Sequence, residues 1–155
     1  MENIEYVRPQ DIEKRSFAII SKELEEKGIV TKRAIHTSAD FDYAKTMTYS
    51  AHAVGIAKKL IQNGADIVTD TNMALAGVNK KELAKYGGKA HCFMAEEEVA
   101  KIAKERGVTR AAVSMEKAAQ IEKPVIFAIG NAPTALIELY EMIKSGKYRP
   151  AFIIG

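Results

Sequence analysis

An α/β fold in three layers, a mostly parallel sheet with helices on both faces, is what this sequence predicts, and three observations predict it. The runs ADIVTD (65–70), PVIFAIG (124–130) and PAFIIG (150–155) are short and apolar without alternation. Strands covered on both faces read that way. Amphipathic segments with helical spacing separate these runs, and strand–helix alternation is the mark of a parallel sheet. Third, the chain has 155 residues, 47% hydrophobic and 28% charged. That suits one buried core and one domain spanning residues 1–155.

The elements follow in order. Pro9 suits a first helical turn, and Ile12, Phe17, Ile20 and Leu24 fall near one face of a helix that Gly28 ends. In IVTKRAIH (29–36), Ile29, Arg33 and His36 share a face if the segment is helical, although its β-branched residues also permit a strand. A strand is expected from Met47, then a helix over SAHAVGIAKKLIQNG (50–64) closed by Gly64. The strand ADIVTD ends on Asp70, and two helical segments, TNMALAG (71–77) and KKELAKYGG (80–88), lead to the strand KAHCFM (89–94). AEEEVAKIAKERG (95–107) places its acids first and its bases last, as the helix dipole favours. TRAAVSMEKAAQI (109–121) is a further helix, PVIFAIG a strand, PTALIELYEMIKSG (133–146) a helix and PAFIIG the last strand. Between Ala135 and Ile143 only Glu138 and Glu141 interrupt the apolar character. Such a helix is buried on most sides or packs against another subunit.

Composition removes several classes. The formal charge is only +3. There is no RNA-recognition signature and no basic stripe among aromatics, so nucleic acid is not an expected partner. Lys80, Lys81, Lys85 and Lys89, diluted by Glu82, read as a solvated helix face. Cys92 is the sole cysteine, which excludes an internal disulfide and disfavours a thiolate metal centre. His36, His52 and His91 have no metal-ligand spacing, so no metal is expected. The segment MENIEYVRPQ lacks the pattern of a signal peptide. No apolar run approaches the ~18 residues a membrane span requires. The expected location is cytoplasmic.

Ligands of open α/β sheets collect outside the carboxyl ends of the strands. Gly130-Asn131-Ala132-Pro133-Thr134 lies at such an end. Gly130 permits close approach, Asn131 can bond or cap, Pro133 presets the helix, and the turn's amides attract an anion. The turn reads as a well-capped connection or as a seat for a carboxylate or phosphate. It is neither GxGxxG nor a P-loop. Asp70-Thr71-Asn72 ends a second strand and is open to the same two readings. His52 opens a helix without evident purpose. His91, beside Cys92 in a strand, reads as a buried, hydrogen-bonded histidine. His36, one turn from Arg33 and followed by Thr37, Ser38 and Ala39, is open between a core histidine and an acid–base group. No GxSxG elbow is present.

Several stretches occur together: Lys14-Arg15-Ser16-Phe17-Ala18-Ile19-Ile20, Arg33-Ala34-Ile35-His36, Asp70 with Met73 and Gly77, Thr109 to Ala112, and AIGNAPTAL from Ala128 to Leu136. In this order and at these distances the chain resembles the precorrin-8X methylmutase family, its cobalt-precorrin-8 branch included, from about Tyr6 to Gly155. The resemblance implies an isomerase of cobalamin biosynthesis. Such an enzyme moves a methyl group between adjacent ring-C carbons of a tetrapyrrole to give hydrogenobyrinate, or cobyrinate from the cobalt form. It implies a homodimer and no separate cofactor, because any cobalt belongs to the substrate. His36 matches the family's catalytic histidine. The substrate-binding candidates are Ser16, Arg33, Asp70, Met73, Arg110, Asn131, Ala132 and Thr134. The family continues with a segment like MPVGFV that this chain does not contain, which leaves room for a corrinoid-binding relative without turnover.

Overall fold

The computed structural model describes residues 8–23 and 28–155. Among them the chain forms, in order, α1 (Pro9–Glu23), α2 (Ile29–Ser38), α3 (Tyr43–Thr46), α4 (Ala53–Gln62), β1 (Asp66–Thr69), α5 (Asn72–Gly77), α6 (Lys80–Ala84), β2 (Ala90–His91), α7 (Glu97–Arg106), α8 (Arg110–Ala118), β3 (Val125–Ala128), α9 (Pro133–Lys144) and β4 (Phe152–Ile154). Of the residues expected to line one face of the first helix, Leu24 lies outside the described residues.

The chain divides into two compact units, Met1–Val54 and Gly55–Gly155. In the first, Ile20 of α1, Ile35 of α2 and Ala44 of α3 form a small apolar cluster. The segment open between strand and helix is a helix, and the left-handed Ala39 (φ 56°) closes it, its amide donating to the Ile35 carbonyl.

In the second unit the four strands are all parallel, in the order β2-β1-β3-β4. The register pairs Asp66 with Val125 and Val68 with Phe127. Val68, Val125 and Phe127 therefore share one face, because side chains alternate along a strand. That face is packed by Ala111, Met115 and Ala118 of α8 and by Ala135, Leu139 and Met142 of α9. Thr69 and Ile126 point the other way and are just as inaccessible. Both faces are thus covered, the three-layer α/β arrangement the sequence predicts.

Two boundaries differ from expectation. Residues 47–50 form no strand, since none of the four strands pairs with them and an unpaired strand leaves its amides unsatisfied. The next helix begins at Ala53 rather than Ser50, because His52 adopts a left-handed backbone (φ 59°) that no α-helix can include.

Candidate active site

In the first unit α1 and α2 bring three of the expected site residues to one place. Ser16 faces His36 across the two helices, with Oγ 2.7 Å from Nδ1. Phe17, the next residue on α1, lies with its ring centroid 5.3 Å from the imidazole and tilted by 30°. The Arg33 guanidinium stands 5.1 Å from the same phenyl centroid and is ion-paired with Glu13. The spacing of three between Arg33 and His36 puts both on the α2 face toward α1. His36 is half-buried. It opens onto a cavity of about 360 Å³ lined by Ser16, Ile12, Ile19, Ile35 and Phe41 among others. An imidazole with one nitrogen fixed by a hydroxyl and its ring set against an aromatic is oriented rather than mobile, which is what positioned proton transfer needs.

In the second unit the strand order reverses at β1, with β2 on one side and β3 on the other. Crevices form outside the carboxyl ends at such a switch point. Asp70 follows β1 there and is fully buried. Its carboxylate accepts the amides of Gly130 at 3.2 Å, Asn131 at 2.7 Å and Ala132 at 2.7 Å. Burial on its own would raise the Asp70 carboxyl, but the three amides outweigh it and hold the group below its ordinary value. This corrects one expectation: the amides of the Gly130 turn are filled by a carboxylate of the chain itself. Asp70 in turn has no exposed surface with which to touch a ligand.

The other expected residues of this unit fall as follows. Asn131 is exposed and Ala132 half-buried at the turn. Thr134, in the first turn of α9, accepts a hydrogen bond from the Thr109 hydroxyl at 2.9 Å. Thr109 also caps α8 by accepting the Ala112 amide, and the exposed Arg110 follows it as the first residue of that helix. Met73 on α5 is 83% exposed. Ser16, Arg33 and His36 thus belong to one constellation in the first unit. Asp70, Asn131, Ala132 and Thr134 belong to another in the second, with Arg110 tied to it through Thr109.

Two contact partners, Phe17 for His36 and Asp66 for His91, were not foreseen. Phe17 appears in the sequence as a core position, although its place beside Ser16 is what sets it against His36. Asp66 binds His91, Oδ2 to Nε2 at 2.9 Å, and accepts the Lys89 amide at 2.9 Å. Burial would raise the Asp66 carboxyl, but His91, the Lys89 amide and the Lys123 charge hold it below its ordinary value. His91 is therefore a hydrogen-bonded structural histidine, as its strand position suggested, although it is half-buried rather than buried. Among the described residues no group of three His, Cys, Asp or Glu side chains could hold a metal ion. No described helix is long and apolar enough to cross a membrane.

A family model described as precorrin-8X methylmutase matches residues 11–155. A cobalt-precorrin-8 methylmutase of Priestia megaterium is 39% identical over 155 residues, covering 96% of this chain and 69% of that protein. A precorrin-8X methylmutase of a Sinorhizobium species is 32% identical and covers 100% of this chain and 77% of its own. The crystal structure of a precorrin-8X methylmutase from Thermus thermophilus superposes with a TM-score of 0.79 at 34% identity, covering 93% of this chain and 72% of that one.

Proposed function

The chain belongs to the precorrin-8X methylmutase family, and from that membership we propose the following roles for its residues. It is an isomerase of cobalamin biosynthesis. Its substrate is precorrin-8 or its cobalt form, and one methyl group leaves a ring-C carbon and bonds to the adjacent one.

His36 is the acid–base group. Ser16 occupies Nδ1, so exchange with the substrate falls to Nε2. Protonation near ring C draws electron density through the conjugated system and weakens the bond to the migrating methyl. An isomerisation gains and loses no proton overall, so the proton lent by the imidazole returns as the product forms. Imidazole both takes up and gives back a proton near neutral pH, which suits such a loan. Positioned proton transfer contributes roughly 10²–10⁴-fold. Holding the macrocycle in a reactive shape supplies the remainder. The observation that carries this reading is the 2.7 Å contact between Ser16 and His36.

Arg33, Arg110, Asn131, Ala132, Thr134 and Met73 serve as substrate-binding groups, the arginines for carboxylate arms. Asp70 works from inside the fold, fixing the turn that presents Asn131. No resident cofactor takes part, and the two units act as one methylmutase-like domain in the cytoplasm. The enzyme is a homodimer, a reading supported by the outer stripe of α9. Leu136, Ile137, Tyr140 and Ile143 there remain 37%, 59%, 58% and 42% exposed. Titration of the purified chain with hydrogenobyrinic and cobyrinic acids, followed by visible absorbance, tests the ligand. Tight binding with a spectral shift is expected, and absence of binding to both overturns the reading.

A further inference from the structure

The amide nest at the switch point is occupied by Asp70, so carboxylates of a ligand must find positive charge elsewhere in the second unit. An open groove of about 720 Å³ supplies it, lined by Ala100, Ala103 and Val108 and edged by Lys101, Lys104 and Arg110. The left-handed Gly107 (φ 66°) ends α7 and turns the chain sharply toward α8. Lys104 therefore stands in the last turn of one helix and Arg110 in the first turn of the next.

The charges there are not used up. Their backbone carbonyls are bonded within the fold, but neither the Lys104 ammonium nor the Arg110 guanidinium makes a hydrogen bond or ion pair with a described residue. Lys101 leans on Glu105 at 3.9 Å, an exposed and weak pairing. Arg106, between them in sequence, is held instead by both oxygens of Glu116. The hydrogen bond from Thr109 to Thr134 ties this lip of the groove to the start of α9, and so to the turn that Asp70 fixes. Small apolar side chains form the floor and cations the rim, which is the surface an acetate or propionate arm on a hydrocarbon ring would meet.

We propose that this groove is a carboxylate subsite for the corrinoid acid, in which Lys104 and Arg110 grip one acidic arm and Lys101 adds charge. The proposal rests on the reading of the chain as a corrinoid enzyme. It adds Lys104 and Lys101, which no motif singled out, to the recognition of the substrate's acids. A planar guanidinium can hold a carboxylate with two hydrogen bonds while an ammonium adds a point charge, so the two are complementary here.

The test is a titration of hydrogenobyrinic acid into the full chain and its Lys104→Gln, Arg110→Gln and double variants at low and high salt. Lys81→Gln on α6 is the control, and the thermal midpoint is read for each protein. A fully amidated corrinoid is titrated in parallel. Each single variant is expected to weaken binding of the acid about tenfold, the scale of a charge-assisted hydrogen bond. The double variant should show a clearly smaller salt dependence than wild type, and affinity for the amidated corrinoid should not change. Equal affinity and equal salt dependence in wild type and the double variant would overturn the subsite while leaving the family reading intact. A shift in thermal midpoint without a change in affinity would make Lys104 only a partner of the α7 dipole, and also overturns it. Inorganic phosphate bound more tightly than the acid, with loss in the double variant, would reassign the groove to free phosphate. Failure of the wild-type chain to bind either corrinoid would sink both readings together.

Discussion

At the scale of single residues, His36 and Asp70 do different kinds of work and fail differently. Replacing His36 by Ala removes one proton-transfer group and leaves the cavity. Turnover should fall by about 10²–10⁴-fold with product affinity largely kept. Turnover measured beside a binding titration checks this, and an unimpaired variant removes His36 from the chemistry. Asp70→Asn puts an amide NH₂ where three backbone donors converge. It should cost about 1–3 kcal/mol of stability near neutral pH, measured by denaturant unfolding. The sign of the pH effect follows from the depressed Asp70 carboxyl. Its contribution is fully present above the unfolded value of about 4 and is lost as pH falls through the lower folded value. The stability difference between wild type and Asp70→Asn should therefore shrink below about pH 4. A constant difference down to acid would show that the carboxylate charge is not what the turn uses. The sequence shows why this nest invites misreading: its donors are local, but the acceptor comes from a strand end 60 residues upstream of Gly130. From the turn alone, an internal and an external carboxylate look the same.

At the scale of elements, α9 shows both what pattern reveals and what it leaves open. Ala135, Leu139 and Met142 recur at helical spacing and are buried on the sheet, whereas Leu136, Ile137, Tyr140 and Ile143 form a second apolar stripe. The sequence offered burial on most sides or contact with another subunit, and within one chain only the first stripe is covered. Leu139→Ala should cost about 2–5 kcal/mol, as for other large-to-small core changes, readable from the unfolding midpoint. Ile137→Glu should leave the fold intact and shift a dimer to monomer in sedimentation. Unchanged mass would place the subunit contact elsewhere. Periodic helices such as α7, α8 and α9 were legible because an apolar face coincides with an end signal in each: Gly107 after α7, Thr109 before α8 and Pro133 at the start of α9. Residues 47–50 misled because β-propensity is not pairing, and the four strands of the sheet leave them no partner.

At the scale of the whole molecule, the alternation of apolar runs with amphipathic helices was enough to specify a parallel sheet covered on both faces. It could not reveal that the strand order reverses at β1, since order depends on which way each crossover packs. Nor could it reveal the division at Val54, because no change in composition marks it. Ser16 and His36 lie 20 residues apart on different helices, and only the family resemblance joined them before the packing of α1 on α2 placed them in contact. The chain spans about 70% of the length of three curated relatives that it matches. The decisive measurement is therefore turnover by this chain as it stands. Precorrin-8 and its cobalt form are incubated with wild type and with His36→Ala, and the products are followed by visible absorbance and proton NMR of the ring-C methyl. Multiple-turnover conversion of one of them to hydrogenobyrinate or cobyrinate, lost in the variant, is the result expected. A folded wild-type chain that binds corrinoid acid yet converts neither substrate, or a variant that converts as fast as wild type, would contradict the assignment of this chain as a methylmutase acting through His36.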